Sequence, residues 1–173
     1  RIQRLFREIS LSDLSDREVY DLLVTLPMPL YISTYYDDLL MQAFREFAKR
    51  RASLKIFRWN ELLKDKSSSD ETWFDSDFEG FDSHPVVFHW YGHIEHRRSL
   101  VITESEYMSH LYNFAGNRRI FPDQIDCALG DSYLLFLGHR LFELDFQVLL
   151  RAIKSHLENN SFGDNHIAVQ FVD

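Results

Sequence analysis

The feature that most limits the fold is a set of short apolar runs bounded by Pro, Gly or polar residues: Leu30-Tyr31-Ile32-Ser33-Thr34, Leu54 to Trp59, Pro85 to Trp90, and Tyr133 to Leu137. A strand with one face in water alternates apolar and polar residues, whereas a strand buried on both faces reads as a nearly continuous apolar run. Segments with helical spacing follow these runs. Leu40, Ala43, Phe44 and Phe47 share one face after Asp37, and Phe146, Leu149, Leu150 and Ile153 share one face of a helix predicted over Leu144 to Leu157. Strand followed by helix, repeated along the chain, predicts an α/β domain with a parallel sheet covered by helices on both faces. Further strands are expected at Leu100-Val101-Ile102 and at His166 to Val172.

The helix boundaries carry their own signals. Ile2, Leu5, Phe6 and Ile9 fall at helical spacing, and Ser15 with Glu18 makes a capping box for a second helix through Leu23, stopped by Pro27 and Pro29. Thr103 with Glu106 makes another capping box, opening a helix through Leu111. From Lys64 to His84 the pattern gives way to Ser, Asp, Glu and Gly, an acidic surface loop over 64–84 whose carboxylates lack calcium-loop spacing. No internal repeat is evident.

Length and charge narrow the function classes. The 173 residues give room for one domain, 1–173. The net charge of -8 argues against direct nucleic-acid binding, which rests on neutralising phosphates with Lys and Arg. The single cysteine, Cys127, permits no internal disulfide and no cysteine-based zinc site, so a cytoplasmic location is expected. The apolar runs reach about a quarter of the ~20 residues a membrane-spanning helix needs, so no membrane partner is expected. The opening Arg1-Ile2-Gln3, with neither an initiator Met nor an apolar leader, suggests a fragment of a larger chain.

In parallel sheets ligands bind beyond the carboxyl ends of the strands, which singles out Thr34 to Asp37, Tyr91 to His93, and Gly138 to Arg140. A glycine at such an end often marks close backbone approach to a ligand, although each cluster also reads as an ordinary turn. His89, His93 and His96 with Glu95 invite a zinc reading. Their strand-to-turn setting lacks the helical H-E-x-x-H arrangement, and no metal is expected.

Taken in order, these clusters resemble the sirtuin-like superfamily, in particular the NAD hydrolase domains of bacterial antiphage-defence proteins. Ser33-Thr34-Tyr35-Tyr36-Asp37 is similar to the family's T-T-N-Y-D strand end. Tyr91-Gly92 falls where the family has H-G, and Ser99-Leu100-Val101-Ile102-Thr103-Glu104-Ser105-Glu106-Tyr107 resembles its S-L-V-L-T-E-x-D-Y segment. Leu135 to Phe146 resembles the family's apolar strand entering G-Y/F-x-L-x-x-x-D-F. The resemblance implies a Rossmann-like α/β fold, NAD as the bound cofactor, and cleavage to nicotinamide plus ADP-ribose. Family members carry a Gly-rich phosphate loop on their first strand and helix. Residues 1–30 contain no Gly, so that strand-helix unit is expected upstream in a longer chain.

Two tyrosines stand at the family's catalytic positions: Tyr35 for its Asn, which orients water, and Tyr91 for its His, the general base. A phenol of pKa ~10 is a poor base at neutral pH. His89, two residues earlier and on the same face of the strand as Tyr91 by the period-two alternation, either substitutes as the base or is a core histidine. The implied site is therefore His89, Tyr91 and Tyr35 as catalytic candidates, with Thr34, Tyr35, Asp37, Gly92, Gly138 and His139 contacting NAD. Two functions remain open from sequence: an NAD hydrolase domain of a larger defence or signalling protein, or an inactive sirtuin-like module for protein interaction, oligomerisation or nucleotide sensing. Partners on either reading are NAD or a related nucleotide, other domains of the parent protein, and a second copy in a homo-oligomer.

Overall fold

The structure, a computed structural model, describes residues 9–60, 84–116, 125, 128–129, 133–138, 142–156 and 167–169. The expected helix over Ile2 to Phe6, the acidic segment short of His84, Arg140 and His139 lie outside them. The chain forms two compact units, Arg1–Asn113 and Phe114–Asp173.

The first unit is a parallel three-stranded sheet flanked by helices, a Rossmann-like α/β arrangement. Its strands are β1 (Leu30–Ser33), β2 (Ser53–Ile56) and β3 (Val86–His89), in the order β1-β3-β2. Leu30 stands opposite Val86 and Ser33 opposite His89 across one edge of β3, while Ser53 pairs with Val86 and Ile56 with His89 across the other. All four β3 residues are buried, as a central strand covered on both faces requires.

Each face has its own helices. Helix α1 (Arg17–Thr25) and helix α2 (Leu39–Ala43), which continues as a π-helical turn over Phe44–Ala48, supply Val24, Leu39, Ala43 and Phe44 to a cluster with Tyr31 and Val87. The Phe44 ring meets Tyr31 edge-on with centroids 5.2 Å apart. On the opposite face helix α3 (Glu104–Gly116) brings His110 against an aromatic group in which Phe57 stacks on Trp90 at 5.1 Å. His110 is fully buried there, and its Nε2–H donates to the Trp90 carbonyl at 3.1 Å. Burial pushes its pKa down to about 4, against the smaller opposing effect of that hydrogen bond.

Two local expectations need correction. The capping box sits at Ser10 and Asp13, on a 3-10 turn over Leu11–Asp13, whereas α1 begins after Asp16 with no side-chain cap. Aspartate at the third position closes the box that Ser15 and Glu18 were expected to close. Leu100-Val101-Ile102 is not a strand. Leu100 N–H closes a 3-10 turn on Arg97 and Val101 N–H donates to Tyr91, so the segment is extended and partly buried without a ladder. By contrast the Thr103 and Glu106 box forms in both directions, and the N–H of Thr103 foremost holds the Glu106 carboxyl below its ordinary range.

The second unit contains β4 (Leu135–Leu137) paired in parallel with β5 (Ile167–Val169), and helix α4 (Leu144–His156). Phe146, Leu149 and Ile153 are buried on the helix face expected from their spacing, and Phe146 meets Phe136 edge-on at 5.2 Å. Leu135 and Leu137 are each 40% exposed, so β4 is covered on the Phe136 side and half-open on the other. Among the described residues no helix is long and apolar enough to cross a membrane.

Candidate functional site

Two loops leave the carboxyl ends of β1 and β3, and the backbone ties them together. Ser33 carbonyl accepts from Trp90 N–H at 2.9 Å, and Tyr36 carbonyl accepts from Ile94 N–H at 2.8 Å. The Tyr36 hydroxyl donates to the Val101 carbonyl at 2.6 Å. These bonds bring the 34–38 turn against the 91–101 loop, so residues distant in sequence share one polar cluster.

Gly92 shapes that loop. Its φ is +94°, a left-handed conformation that side-chain-bearing residues rarely adopt. An added Cβ would lie 2.2 Å from the Ser99 carbonyl oxygen and 2.8 Å from Leu100 N. The close approach expected of this glycine is therefore made by its own chain. The same Ser99 carbonyl accepts from Trp59 Nε1–H at 2.7 Å, and the Ser99 hydroxyl donates to the His96 carbonyl at 2.6 Å while accepting from His93 N–H at 3.0 Å.

His89, at the end of β3, is buried on the α1–α2 side of the sheet. Its Nδ1 lies 2.8 Å from the Tyr35 carbonyl, which can only accept, so Nδ1 carries the ring proton and Nε2 bears the lone pair. Nε2 is buried and has no hydrogen-bond partner among the described residues. Desolvation, helped by neighbouring His93, lowers the His89 pKa to about 4, so the ring is neutral at physiological pH.

His93 packs edge-on against His89 with ring centroids 4.7 Å apart. Glu95 N–H donates to its Nδ1 at 3.3 Å, so Nδ1 accepts and a ring proton sits on Nε2. That Nε2 is buried, lacks a hydrogen-bond partner among the described residues, and lies 3.6 Å from Asp38 Oδ1. Arg45 donates to the other Asp38 oxygen at 2.6 Å. Burial pushes the Asp38 carboxyl up, but the His93 imidazole beside it and the Arg45 guanidinium bound to it outweigh burial and hold the carboxyl below its ordinary value. Asp37 behaves oppositely: burial raises its pKa despite the Leu39 N–H donated to its Oδ1 at 3.1 Å.

The expected site residues are thus distributed unevenly. His89 is bonded to the Tyr35 carbonyl, while half-buried Thr34 and Asp37 lie in the 34–38 turn and Gly92 in the loop tied to it. The Tyr35 side chain is 66% exposed. Tyr91 does not share a face with His89, because the strand ends at His89 and the turn reverses the alternation. The Tyr91 ring lies against Tyr107 and His110 of α3. Gly138 follows β4 in the second unit with φ +71°. Sequence reasoning missed the pairing of His93 with Asp38. Its only signal was the spacing of His89 and His93 around Gly92, which a left-handed turn folds back into contact. No three His, Cys, Asp or Glu side chains among the described residues are placed to hold a metal ion.

No curated protein sequence matches the chain significantly. The family profile described as a SIR2-like domain does match it, over residues 29–172. That stretch runs from the residue before β1 through β5, taking in both strand-end loops and most of the sequence, and the chain therefore belongs to the SIR2-like domain family.

Proposed function

We propose that this SIR2-like domain binds NAD beyond the carboxyl ends of β1 and β3 and is of the NAD hydrolase type, releasing nicotinamide and ADP-ribose, within a larger defence or signalling protein. The observation that carries this reading is His89. A general base needs a lone pair on a ring held in one tautomer. The Tyr35 carbonyl holds Nδ1–H, and Nε2 is left as a buried acceptor without a partner among the described residues.

The residues present fit the ribose and nicotinamide end of the dinucleotide. Asp37, raised by burial, and half-buried Thr34 line that end, and His89 Nε2 takes the proton of a ribose hydroxyl or of water. Bound NAD supplies the glycosidic bond and its leaving group. Tyr91 serves packing, at the position where the resemblance places the family's histidine, and His89 takes over the base role from two residues earlier. A base with a pKa of about 4 is weak, so turnover is slow.

The test uses the full-length protein, following NAD consumption and nicotinamide release alongside NAD titration by calorimetry. Slow hydrolysis is expected, abolished by His89→Gln and retained in Tyr91→Phe. Hydrolysis that survives His89→Gln removes His89 from the mechanism. Binding without turnover makes the domain a nucleotide sensor, and neither binding nor turnover leaves an interaction module.

A further inference from the structure

Helix α1 has two apolar sides, and the core uses one of them. Val24 is fully buried, and Tyr20 packs against the same cluster of Tyr31, Phe44 and Val87. Val19 and Leu22 form a second stripe at i and i+3, continued by Leu26 at the C-cap and turned away from Val24. Val19 is 54% and Leu22 64% exposed, and Leu26 is half-buried. We propose that this outer stripe is the docking face for the chain's own segment 1–8, which lies outside the described residues.

The face is held in place before anything docks on it. The Tyr31 hydroxyl donates to the Leu23 carbonyl at 2.9 Å, and Arg50 donates to the Val24 and Leu26 carbonyls at 3.1 Å each. These bonds satisfy carbonyls that the end of a helix leaves open, so α1 presents its outer stripe in one orientation.

Charge and spacing select the occupant. Asp16, Glu18 and Asp21 are exposed along α1, and its one cation, Arg17, is already bound to Glu46. The stripe therefore suits apolar side chains at helical spacing with cations beside them. Segment 1–8 has both. Ile2, Leu5 and Phe6, continued by Ile9, fall at i, i+3, i+4 and i+7, and Arg1, Arg4 and Arg7 accompany them against a single acid, Glu8. Opposite charges along facing helices set both partner and orientation.

The join between segment and face is described and fixed. Ile9 is 37% exposed, whereas Leu11 is buried and its N–H donates to Gln42 at 3.0 Å. Residues 9–16 make a connection of the length that joins antiparallel helices. The segment folded back along α1 brings Arg7 toward Asp16 and Glu18, and Arg1 and Arg4 toward Asp21. A short tether holds it at an effective concentration of about millimolar, which favours docking within one chain over docking between copies.

The test is hydrogen exchange of the full-length protein, read by mass spectrometry on peptides covering residues 2–9 and α1. In the parent, the amides of Leu5 to Ile9 should exchange at least about tenfold more slowly than in an unstructured chain. Leu22→Asp should remove that protection while α1 keeps its own. Glu18→Arg with Asp21→Arg should weaken the protection, and adding Arg4→Glu with Arg7→Glu should restore it, a rescue that general destabilisation does not give. Exchange of residues 2–9 at the unstructured rate in the parent overturns the docking, as does protection that Leu22→Asp leaves unchanged. Protection that falls on dilution of the protein assigns the face to a second copy and overturns docking within the chain. If Leu22→Asp does not fold, the charge exchange decides, and its failure to rescue overturns the proposal.

Discussion

Replacing Gly92 by alanine tests whether this glycine serves the chain's own packing or a ligand. The new methyl group would have to occupy a point 2.2 Å from the Ser99 carbonyl oxygen and 2.5 Å from its carbon, both backbone atoms. The φ of +94° adds a left-handed penalty of roughly 1–2 kcal/mol for any residue with a Cβ. Moving Ser99 aside removes the acceptor of the Trp59 indole N–H, a buried bond whose loss costs roughly 1–3 kcal/mol. The combined loss is about 2–5 kcal/mol, which lowers the melting temperature of a chain this size by roughly 10 °C. Thermal and urea unfolding followed by tryptophan fluorescence measures it, since Trp59 and Trp90 are both buried. Trp59→Phe removes the same indole bond, so the double variant should lose less than the two single losses added. A Gly92→Ala protein within about 1 kcal/mol of the parent, with NAD affinity destroyed, refutes the packing role and restores the glycine to the ligand.

The remaining predictions concern protonation, capping and loop closure. Burial holds His89 and His110 at about 4, below the ~6.5 of an unfolded chain, so the unfolded state binds more protons between these values. Their stability contribution is complete above about pH 6.5 and is lost progressively as pH falls toward 4, about 2 kcal/mol per histidine at about pH 5. Urea midpoints near neutral and near about pH 5 should show this, with His110→Phe removing about half of the decline. Thr103→Ala should cost about 1 kcal/mol by breaking the reciprocal cap of α3, read by thermal unfolding. Tyr36→Phe should cost about 1 kcal/mol in the same assay, through the bond to Val101 that joins the two strand-end loops.

The sheet was legible because its strands are apolar on both faces, and β3 is buried at every residue. The Leu100-Val101-Ile102 segment shows the limit of that logic. Leu100 and Val101 are buried, but Gly92 brings its own turn against Ser99 and Leu100, so burial comes from loop packing instead of strand pairing. The site was legible only in part for a similar reason. Period-two alternation put Tyr91 beside His89, but it holds just as far as the strand does, and past His89 the turn sends Tyr91 to Tyr107 and His110 and brings His93 to the His89 ring. The contact between His93 and Asp38 depends on a cross-loop hydrogen bond from Ile94 to Tyr36, which no local pattern encodes.

The strand order has a consequence for how the chain comes together. β1 and β2 are neighbours in sequence but not in the sheet, and each finds its partner only in β3. Until Val86 to His89 emerge, neither earlier strand has a ladder to join, so sheet formation in the first unit waits on a contact across residues 57–85. Topology of this sort slows folding, because closure entropy is lost before the long-range pairing repays it. The order β1-β3-β2 thus ties the folding speed of the first unit to the strand that comes last in sequence and lies at the centre of its sheet.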